Sequence, residues 1–206
     1  EISCSLVGSE MCIRDRNENK QNGIIEVTDA DSVVLYITAA TSYQLQENVF
    51  LRPNTAKFKG NVHPHSLITN RIKEAVGKGY EFLRKEHIVD YQYFFNRVDL
   101  QLTDRIPAIP TDKLLSQYRS GKHDTYLEEL FFQYGGYLLI ASSRNGSLPA
   151  NLQGVWTQYD FSPWSGGYWH NINIQMNYWH VFNTNLSELF NPYMEYNETF
   201  LSLIHI

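Results

Sequence analysis

The pattern of hydrophobic and polar positions changes character along the chain near Pro64. Between residues 24 and 43, Val, Ile, Thr and Tyr dominate, and a polar step at residues 29–31 separates two apolar runs. This pattern predicts two β-strands joined by a turn. We expect Val33–Thr38 to form a buried strand. Residues 44–65 are polar, contain two prolines and predict a loop.

Downstream of Pro64 the apolar residues recur at helical spacing. This spacing predicts a helix over 66–86, a shorter one over 88–96 and another over 112–119, with a possible strand in the sequence VDLQL between them. A run of strands followed by a run of helices indicates an α+β fold or two separate domains.

A further helix is predicted to begin at Asp124. An apolar stripe follows it at i, i+3, i+4 and i+7 spacing: Leu127, Leu130, Phe131, Tyr134, Leu138 and Ala141. Two adjacent glycines, Gly135 and Gly136, lie inside this helix and would destabilise it in isolation. We therefore expect a neighbouring helix to approach closely at that point.

Residues 143–171 show no periodicity and are followed by two further predicted helices, over 173–183 and 187–201. A long irregular segment inside a compact fold is usually functional. At its end, the spacing of Asn185 and Glu188 favours a helix cap over a catalytic role for Glu188.

Charge and hydropathy exclude two classes of partner. The formal net charge is −5 and the sequence shows no basic stripe, which argues against nucleic acid. No apolar run reaches membrane-spanning length, so we predict no membrane insertion.

The two ends of the chain look unlike protein-coding sequence. Residues 1–16 and 202–206 resemble translated sequencing-adapter read-through, and we leave them out of the fold prediction. The only two cysteines, Cys4 and Cys12, lie in the first segment. The remaining chain therefore offers no disulfide framework, thiolate metal site or cysteine nucleophile.

The irregular segment and the helix after it combine many amides with many large aromatic rings. Amides both donate hydrogen bonds to hydroxyls and accept them, and aromatic rings stack on flat C–H faces, so this mixture is typical of a sugar site. The candidate substrate-binding residues are Asn151, Trp156, Asp160, Trp169, His170 and Gln175. The alternative is a core in which the amides cap loops and helix ends.

The histidines do not have the spacing of a metal site. His63 and His65 are two residues apart, and His170 and His180 are ten apart, without the i, i+4 arrangement of helical zinc sites. We predict no metal and no cofactor.

Four motifs in order resemble glycoside hydrolase family 95, which contains α-L-fucosidases, acting mainly on α-1,2-linked fucose, and some α-L-galactosidases. They are LPANLQGVW from Leu148, the pair Pro163–Trp164, NINIQMNYW from Asn171 and NLSEL from Asn185. The resemblance extends over residues 24–201. It implies that residues 17–65 are the C-terminal part of a β-sandwich domain, 66–110 a helical linker and 111–201 the start of an (α/α)6 six-hairpin barrel.

The resemblance also implies a mechanism. The family inverts the anomeric centre, with a glutamate as general acid and a water activated by an aspartate and two asparagines, which match Asn171 and Asn173. The glutamate and the aspartate lie beyond Leu201 in the family, so we expect this fragment to be inactive by itself. The intact protein is expected to be bacterial and extracellular or periplasmic.

The asparagine role has a physical basis. A neutral amide can orient a water but is too weak a base to take its proton, so a carboxylate must complete the reaction. An extended segment would turn residues 171, 173 and 175 to one side. We therefore predict non-helical backbone through Asn173.

Two positions depart from the family pattern. Trp169 stands where many members have His or Thr, and His180 where many have Pro. The Trp169 ring would either close the pocket around the C5 substituent of the sugar or indicate a different sugar. Two other functions stay open: a non-catalytic carbohydrate-binding relative, and another six-hairpin glycosidase or phosphorylase.

Overall fold

The chain divides into two compact units, residues 1–88 and 89–206. The structure, a computed structural model, describes residues 2–8, 15–19, 24–28, 30–44, 51–53, 56–57, 61–153, 155, 157, 159 and 161–204. Of the two adapter-like ends, residues 2–8, 15–16 and 202–204 are among them, and residues 1, 9–14, 205 and 206 lie outside the described residues.

The described residues of the first unit form four strands, which pair in twos. They are β1 (Ile2–Gly8), β2 (Asp15–Asn19), β3 (Ile24–Thr28) and β4 (Leu35–Thr41). β1 pairs antiparallel with β4, and β2 pairs antiparallel with β3. In the first pair Ile2 lies opposite Thr41 and Gly8 opposite Leu35.

The prediction of a buried strand at Val33–Thr38 is wrong in its start and in its burial. The strand β4 begins at Leu35, and the side chains of Leu35 and Ile37 are 57% and 66% exposed. Along β4 exposed positions alternate with half-buried ones, which is typical of a sheet with one covered face. The β-branched composition therefore predicted a strand correctly but did not indicate how far it is buried.

In the described part of the chain six helices follow the strands. They are α1 (His65–Lys78), α2 (Tyr80–Phe95), α3 (Thr111–Arg119), α4 (Thr125–Ser142), α5 (Asn173–Tyr178) and α6 (Asn191–Ile204). Short 3-10 turns occur at Pro163–Gly166 and Ser187–Phe190. No helix in the described part of the chain is both long and apolar enough to cross a bilayer.

The helix predicted over 66–86 is broken at Gly79. This residue has φ of 76°, a conformation that ends α1 and that glycine adopts without a steric penalty. Ile68 and Ile72 form the buried face of α1, which packs against β4 and β1. α1 therefore belongs to the first compact unit together with these strands.

The possible strand VDLQL does not form. The backbone N–H of Leu102 donates instead to the carboxylate of Glu129 at 2.9 Å, so this stretch is held by a side chain of α4 rather than by a neighbouring strand. Residues 98–110 contain neither helix nor strand.

Asp124 caps α4 as predicted, but the predicted apolar stripe is not the buried face. The Asp124 carboxylate accepts from the backbone N–H of Leu127 at 3.1 Å. Leu127 is buried, yet Phe131 is 80% exposed, and the buried residues near the end of the helix are Leu139 and Ile140. The predicted stripe therefore lies on one face of α4, whereas the face that packs into the core of the second unit is the neighbouring one, with Leu139 and Ile140.

The expected close approach at Gly135 and Gly136 is also absent among the described residues. A Cβ atom placed on either glycine would meet no atom within 4 Å. Both glycines instead line an open apolar cavity with the rings of Phe94, Phe95 and Phe131.

The predicted irregular segment is present. Apart from the Pro163–Gly166 turn, its described residues have no helix or strand between α4 and α5. The helix predicted over 173–183 ends already at Tyr178, and the one predicted over 187–201 starts as a 3-10 turn before α6.

Candidate active site

A buried cluster in the second unit positions the irregular segment against α5. The cluster joins α4, the segment, α5 and the turn before α6 through Leu139, Ile140, Ala150, Ile174, Tyr178, Val181, Leu186 and Leu189. Ile174 and Tyr178 are almost fully buried and four residues apart, so they form one face of α5. The opposite face of this short helix is thereby directed outward.

Buried polar groups add a second attachment. The Ser143 hydroxyl donates to the carbonyl of Leu189 at 2.8 Å, and the Ala150 N–H donates to the Tyr178 hydroxyl oxygen at 2.8 Å. Since the single Ser143 proton is used, the Tyr178 hydroxyl donates to Ser143 across the 2.9 Å between their oxygens. The network therefore leaves neither hydroxyl unpaired.

Asn177 closes the same junction from the side. Its amide nitrogen donates to the carbonyls of Ala150 and Asn151 at 3.3 and 3.2 Å. The Asn151 side chain in turn accepts from the N–H of Gln153 at 3.2 Å. Asn151, a predicted sugar ligand, is thus half-buried and engaged in shaping the turn at residues 151–153.

An open cleft of about 360 Å³ lies beside the outward face of α5. We call it the aromatic cleft, and its lining residues are Leu152, Trp164, Trp169, Asn173, Met176 and Asn177. The two indole rings are 58% and 49% exposed. Large rings beside amides, open to solvent, suit the flat faces and hydroxyls of a sugar.

A second cavity of about 480 Å³ adjoins the aromatic cleft through shared residues Leu152, Met176 and Asn177. His180 and Gln153 also line it, and the His180 Nε2 and Gln153 Oε1 atoms are buried without a hydrogen-bond partner among the described residues. Burial lowers the pKa of His180, which favours the neutral ring.

The backbone around the aromatic cleft is strained. Trp164, Ser165 and Trp169 have φ of 52°, 56° and 51°, and the β-branched Ile172 has φ of 128°. Such conformations are costly for residues other than glycine and cluster at functional sites.

Gly167 makes room for the Trp169 indole. A Cβ on Gly167 would lie 2.8 Å from Nε1 and 2.9 Å from Cδ1 of that ring. Only a residue without a side chain fits between the indole and the backbone at this point.

The two predicted catalytic asparagines flank the strained Ile172. Asn171 and Asn173 are both exposed, and neither side chain has a hydrogen-bond partner among the described residues. Asn173 lines the aromatic cleft together with Trp169. The prediction of non-helical backbone is correct at Asn171 and Ile172 but wrong at Asn173, which is the first residue of α5. The reason is that the N–H of Ile174 already bonds back to Trp169, at 3.4 Å, and that of Met176 to Ile172, at 3.0 Å.

His170 and Gln175 lie on the same turn but in different surroundings. The His170 ring stacks on Tyr196 and Tyr193, with centroids 5.5 and 6.0 Å away, and partial burial lowers its pKa. The Gln175 amide is bonded to the backbone of the turn, accepting from Ile172 and donating to His170. The remaining two predicted ligands, Trp156 and Asp160, lie outside the described residues.

Glu188 does not form the predicted helix cap. Its carboxylate accepts from Arg97 at 2.8 Å, and the same guanidinium nitrogen donates to the carbonyl of Asn185 at 2.9 Å. This pairing lowers the pKa of Glu188. The ion pair joins residues 91 positions apart, which no local spacing could indicate.

The candidate set from the sequence omits four lining residues of the aromatic cleft, Leu152, Trp164, Met176 and Asn177. Trp164 entered the prediction only through the Pro163–Trp164 pair. Asn177 carried a usable signal, because it follows Asn173 by four residues and shares its helix face. Leu152 and Met176 carried no such signal, because an apolar side chain is assigned to the core until its exposure is known.

The chain is similar to a family of known proteins. The family model for the glycosyl hydrolase family 95 catalytic domain matches residues 79–203. The chain is 41% identical over 175 residues to a probable alpha-fucosidase A of Aspergillus niger, covering 84% of this chain and 22% of the relative. It is 36% identical over 178 residues to alpha-L-fucosidase 2 of Arabidopsis thaliana, covering 84% and 20%.

A probable alpha-fucosidase A of Aspergillus oryzae is 38% identical over 181 residues, covering 84% of this chain and 24% of the relative. The chain therefore spans between a fifth and a quarter of the length of these relatives. The match covers more than half of the chain and includes the aromatic cleft. The chain belongs to glycosyl hydrolase family 95.

Proposed function

We propose that this chain is part of an inverting glycoside hydrolase that removes terminal α-L-fucose, or a related sugar such as L-galactose, from oligosaccharides or glycans. One observation carries the proposal. Asn173 lines a cleft walled by Trp164 and Trp169, and its side chain, like that of Asn171 two residues before it, is exposed and without a partner among the described residues. The names of the relatives, alpha-fucosidase A and alpha-L-fucosidase 2, supply the sugar.

In this proposal the two amides orient the attacking water. Their carbonyl oxygens accept hydrogen bonds from the water and direct its lone pair at the anomeric carbon, while a carboxylate takes the proton and a carboxylic acid protonates the leaving oxygen. No carboxylate of the described residues lines the aromatic cleft or the adjoining cavity. The acid and the base would come from a part of the enzyme outside this chain, and the chain by itself would be inactive.

The same proposal includes the domain arrangement. Residues 17–65 would complete a β-sandwich, 66–110 would form a helical linker, and 111–201 would begin an (α/α)6 six-hairpin barrel. The change from paired strands to helices at His65 supports this division. A bacterial source and an extracellular or periplasmic location stay predictions, since the relatives come from fungi and a plant.

The test uses the full-length protein that contains this chain. It is incubated with an α-1,2-fucosylated oligosaccharide, and the released sugar is followed by proton NMR from the first turnovers. We expect free β-L-fucose to appear first, because inversion of an α-linkage gives the β anomer. Initial release of the α anomer would contradict inversion, and release of L-galactose from the matching galactoside alone would move the substrate to that sugar.

The absence of a carboxylate among the described lining residues favours one second candidate, a non-catalytic carbohydrate-binding protein. Such a protein would bind the fucosylated oligosaccharide in calorimetry and release no sugar. A phosphorylase is separated by its product, a sugar phosphate formed only when phosphate is present.

A further inference from the structure

The turn that carries the two asparagines is held by a single side chain from α5. The Gln175 amide nitrogen donates to the carbonyl of His170 at 2.6 Å, and its oxygen accepts from the N–H of Ile172 at 3.0 Å. These two backbone groups lie immediately before and after Asn171. One planar amide therefore bridges both sides of that residue.

The bridged backbone would not hold its conformation unaided. Trp169 and Ile172 have positive φ, and a strained non-glycine residue costs about 1–3 kcal/mol, so it persists only where the surroundings enforce it. Packing of the Ile172 side chain does not supply that enforcement, because the side chain is 48% exposed. The fully buried Ile174 anchors the start of α5 from one side, and the Gln175 amide bonds the turn from the other.

We propose that Gln175 is a positioning residue, which fixes the turn at residues 169–173 and thereby sets the directions of Asn171 and Asn173. It does so through its two backbone bonds rather than by contact with the sugar. The sequence interpretation had Gln175 as a sugar ligand. This proposal rests on the proposed function for the roles of the asparagines, but the bracing of the turn can be measured without it.

The variant Gln175→Met keeps the length of the side chain and removes both hydrogen bonds. In the full-length protein we expect kcat to fall on the order of tenfold to a hundredfold, because small displacements of reacting groups cost that much, with KM within about twofold of wild type. The matched control is Gln92→Met on the exposed face of α2, which should leave both constants unchanged.

The variant Gln175→Glu provides a rescue. A protonated carboxyl group has one donor and one acceptor in the same positions as the amide, whereas the carboxylate has no donor for His170. Its kcat relative to wild type should therefore recover as the pH falls through the titration range of a glutamate, near about 4.3.

Hydrogen–deuterium exchange of the peptide that covers residues 169–173 tests the brace independently of activity. We expect faster exchange in Gln175→Met than in wild type and no change in Gln92→Met. If wild type released no sugar, the proposed function would fail while faster exchange would still support the brace. Unchanged exchange, or a raised KM with kcat retained, would overturn the positioning role, the second by showing that Gln175 binds the sugar directly.

Discussion

The hydroxyl groups of Tyr178 and Ser143 lie 2.9 Å apart in the buried core and join the start of the irregular segment to the helix that follows it. Ser143 directly follows α4, and Tyr178 is the last residue of α5. The walls of the aromatic cleft lie between them in sequence. The position of the cleft relative to the core therefore depends on this buried network as well as on apolar packing.

Removal of the Tyr178 hydroxyl should destabilise the protein. The variant Tyr178→Phe leaves the buried N–H of Ala150 without its acceptor, and such an unpaired group costs about 1–3 kcal/mol. Denaturant unfolding should show a lower midpoint. The control is Tyr134→Phe at an exposed position of α4, and equal midpoints for the two variants would contradict the role of the network.

Removal of either asparagine amide should lower turnover with little effect on folding. Asn171→Ala and Asn173→Ala lose groups that are exposed and make no hydrogen bond among the described residues, so the thermal midpoint should shift little. Turnover of the full-length protein should fall about 10²–10⁴-fold, the range of a positioned group that assists proton transfer. Near-normal turnover in both variants would contradict the proposal that Asn171 and Asn173 orient the attacking water.

An alanine at position 167 should displace the Trp169 ring. The new Cβ would lie within 3 Å of two indole atoms and 3.2 Å from the Trp164 carbonyl, so the ring has to move. We expect weaker binding of the fucosylated oligosaccharide by calorimetry. Gly146→Ala is a poor control because of its φ of 80°, whereas Gly136→Ala in α4 meets no atom within 4 Å and should keep wild-type affinity.

The stability of the protein should fall as the pH drops below about 6.5, the ordinary pKa of histidine. Burial lowers the pKa of His180 in the folded state, so the unfolded chain binds the proton first and stability is lost as the pH falls toward the folded pKa. His180→Gln should reduce the loss between pH 7.5 and 5 in urea unfolding. The matched control is the same substitution at the exposed position His123.

The pairing of Arg97 and Glu188 should stabilise the folded protein at neutral pH, and this stabilisation should be lost in acid. Because the hydrogen bond from Arg97 lowers the pKa of Glu188, the stabilisation is complete above the ordinary glutamate pKa of about 4.3 and declines as the pH falls through the lower folded value. Glu188→Gln should flatten this part of the thermal midpoint profile. The effect at neutral pH should be below about 1 kcal/mol, since the pair is partly exposed. A steeper acid loss in the variant would contradict the pairing.

The helices were largely predictable because local signals begin and end them. Asp124 at the start of α4 supplies its own capping carboxylate, and the spacing of apolar residues needs no distant partner to be recognised. Glycine showed the limit of such signals. Gly79 lies inside the helix predicted over 66–86, although its positive φ ends a helix there.

The exposed and buried faces were not predictable from spacing alone. Phe131 and Leu139 are both apolar residues of α4, but only Leu139 meets the core of the second unit. In the same way Glu188 had the spacing of a cap, and a partner 91 residues away used its carboxylate instead. Such choices depend on which distant elements come together.

By itself the sequence determined the family, the irregular segment and the concentration of amides and aromatic rings in and after it, because these rest on residue types and their order. Only the tertiary structure decided which of those amides bond to the backbone and which stay exposed. Burial of Ile174 and Tyr178 orients α5, and this orientation commits Asn177 and Gln175 to backbone carbonyls and N–H groups while Asn171 and Asn173 stay exposed. An amide is chemically the same in either position, and its surroundings determine whether it supports the fold or faces a ligand.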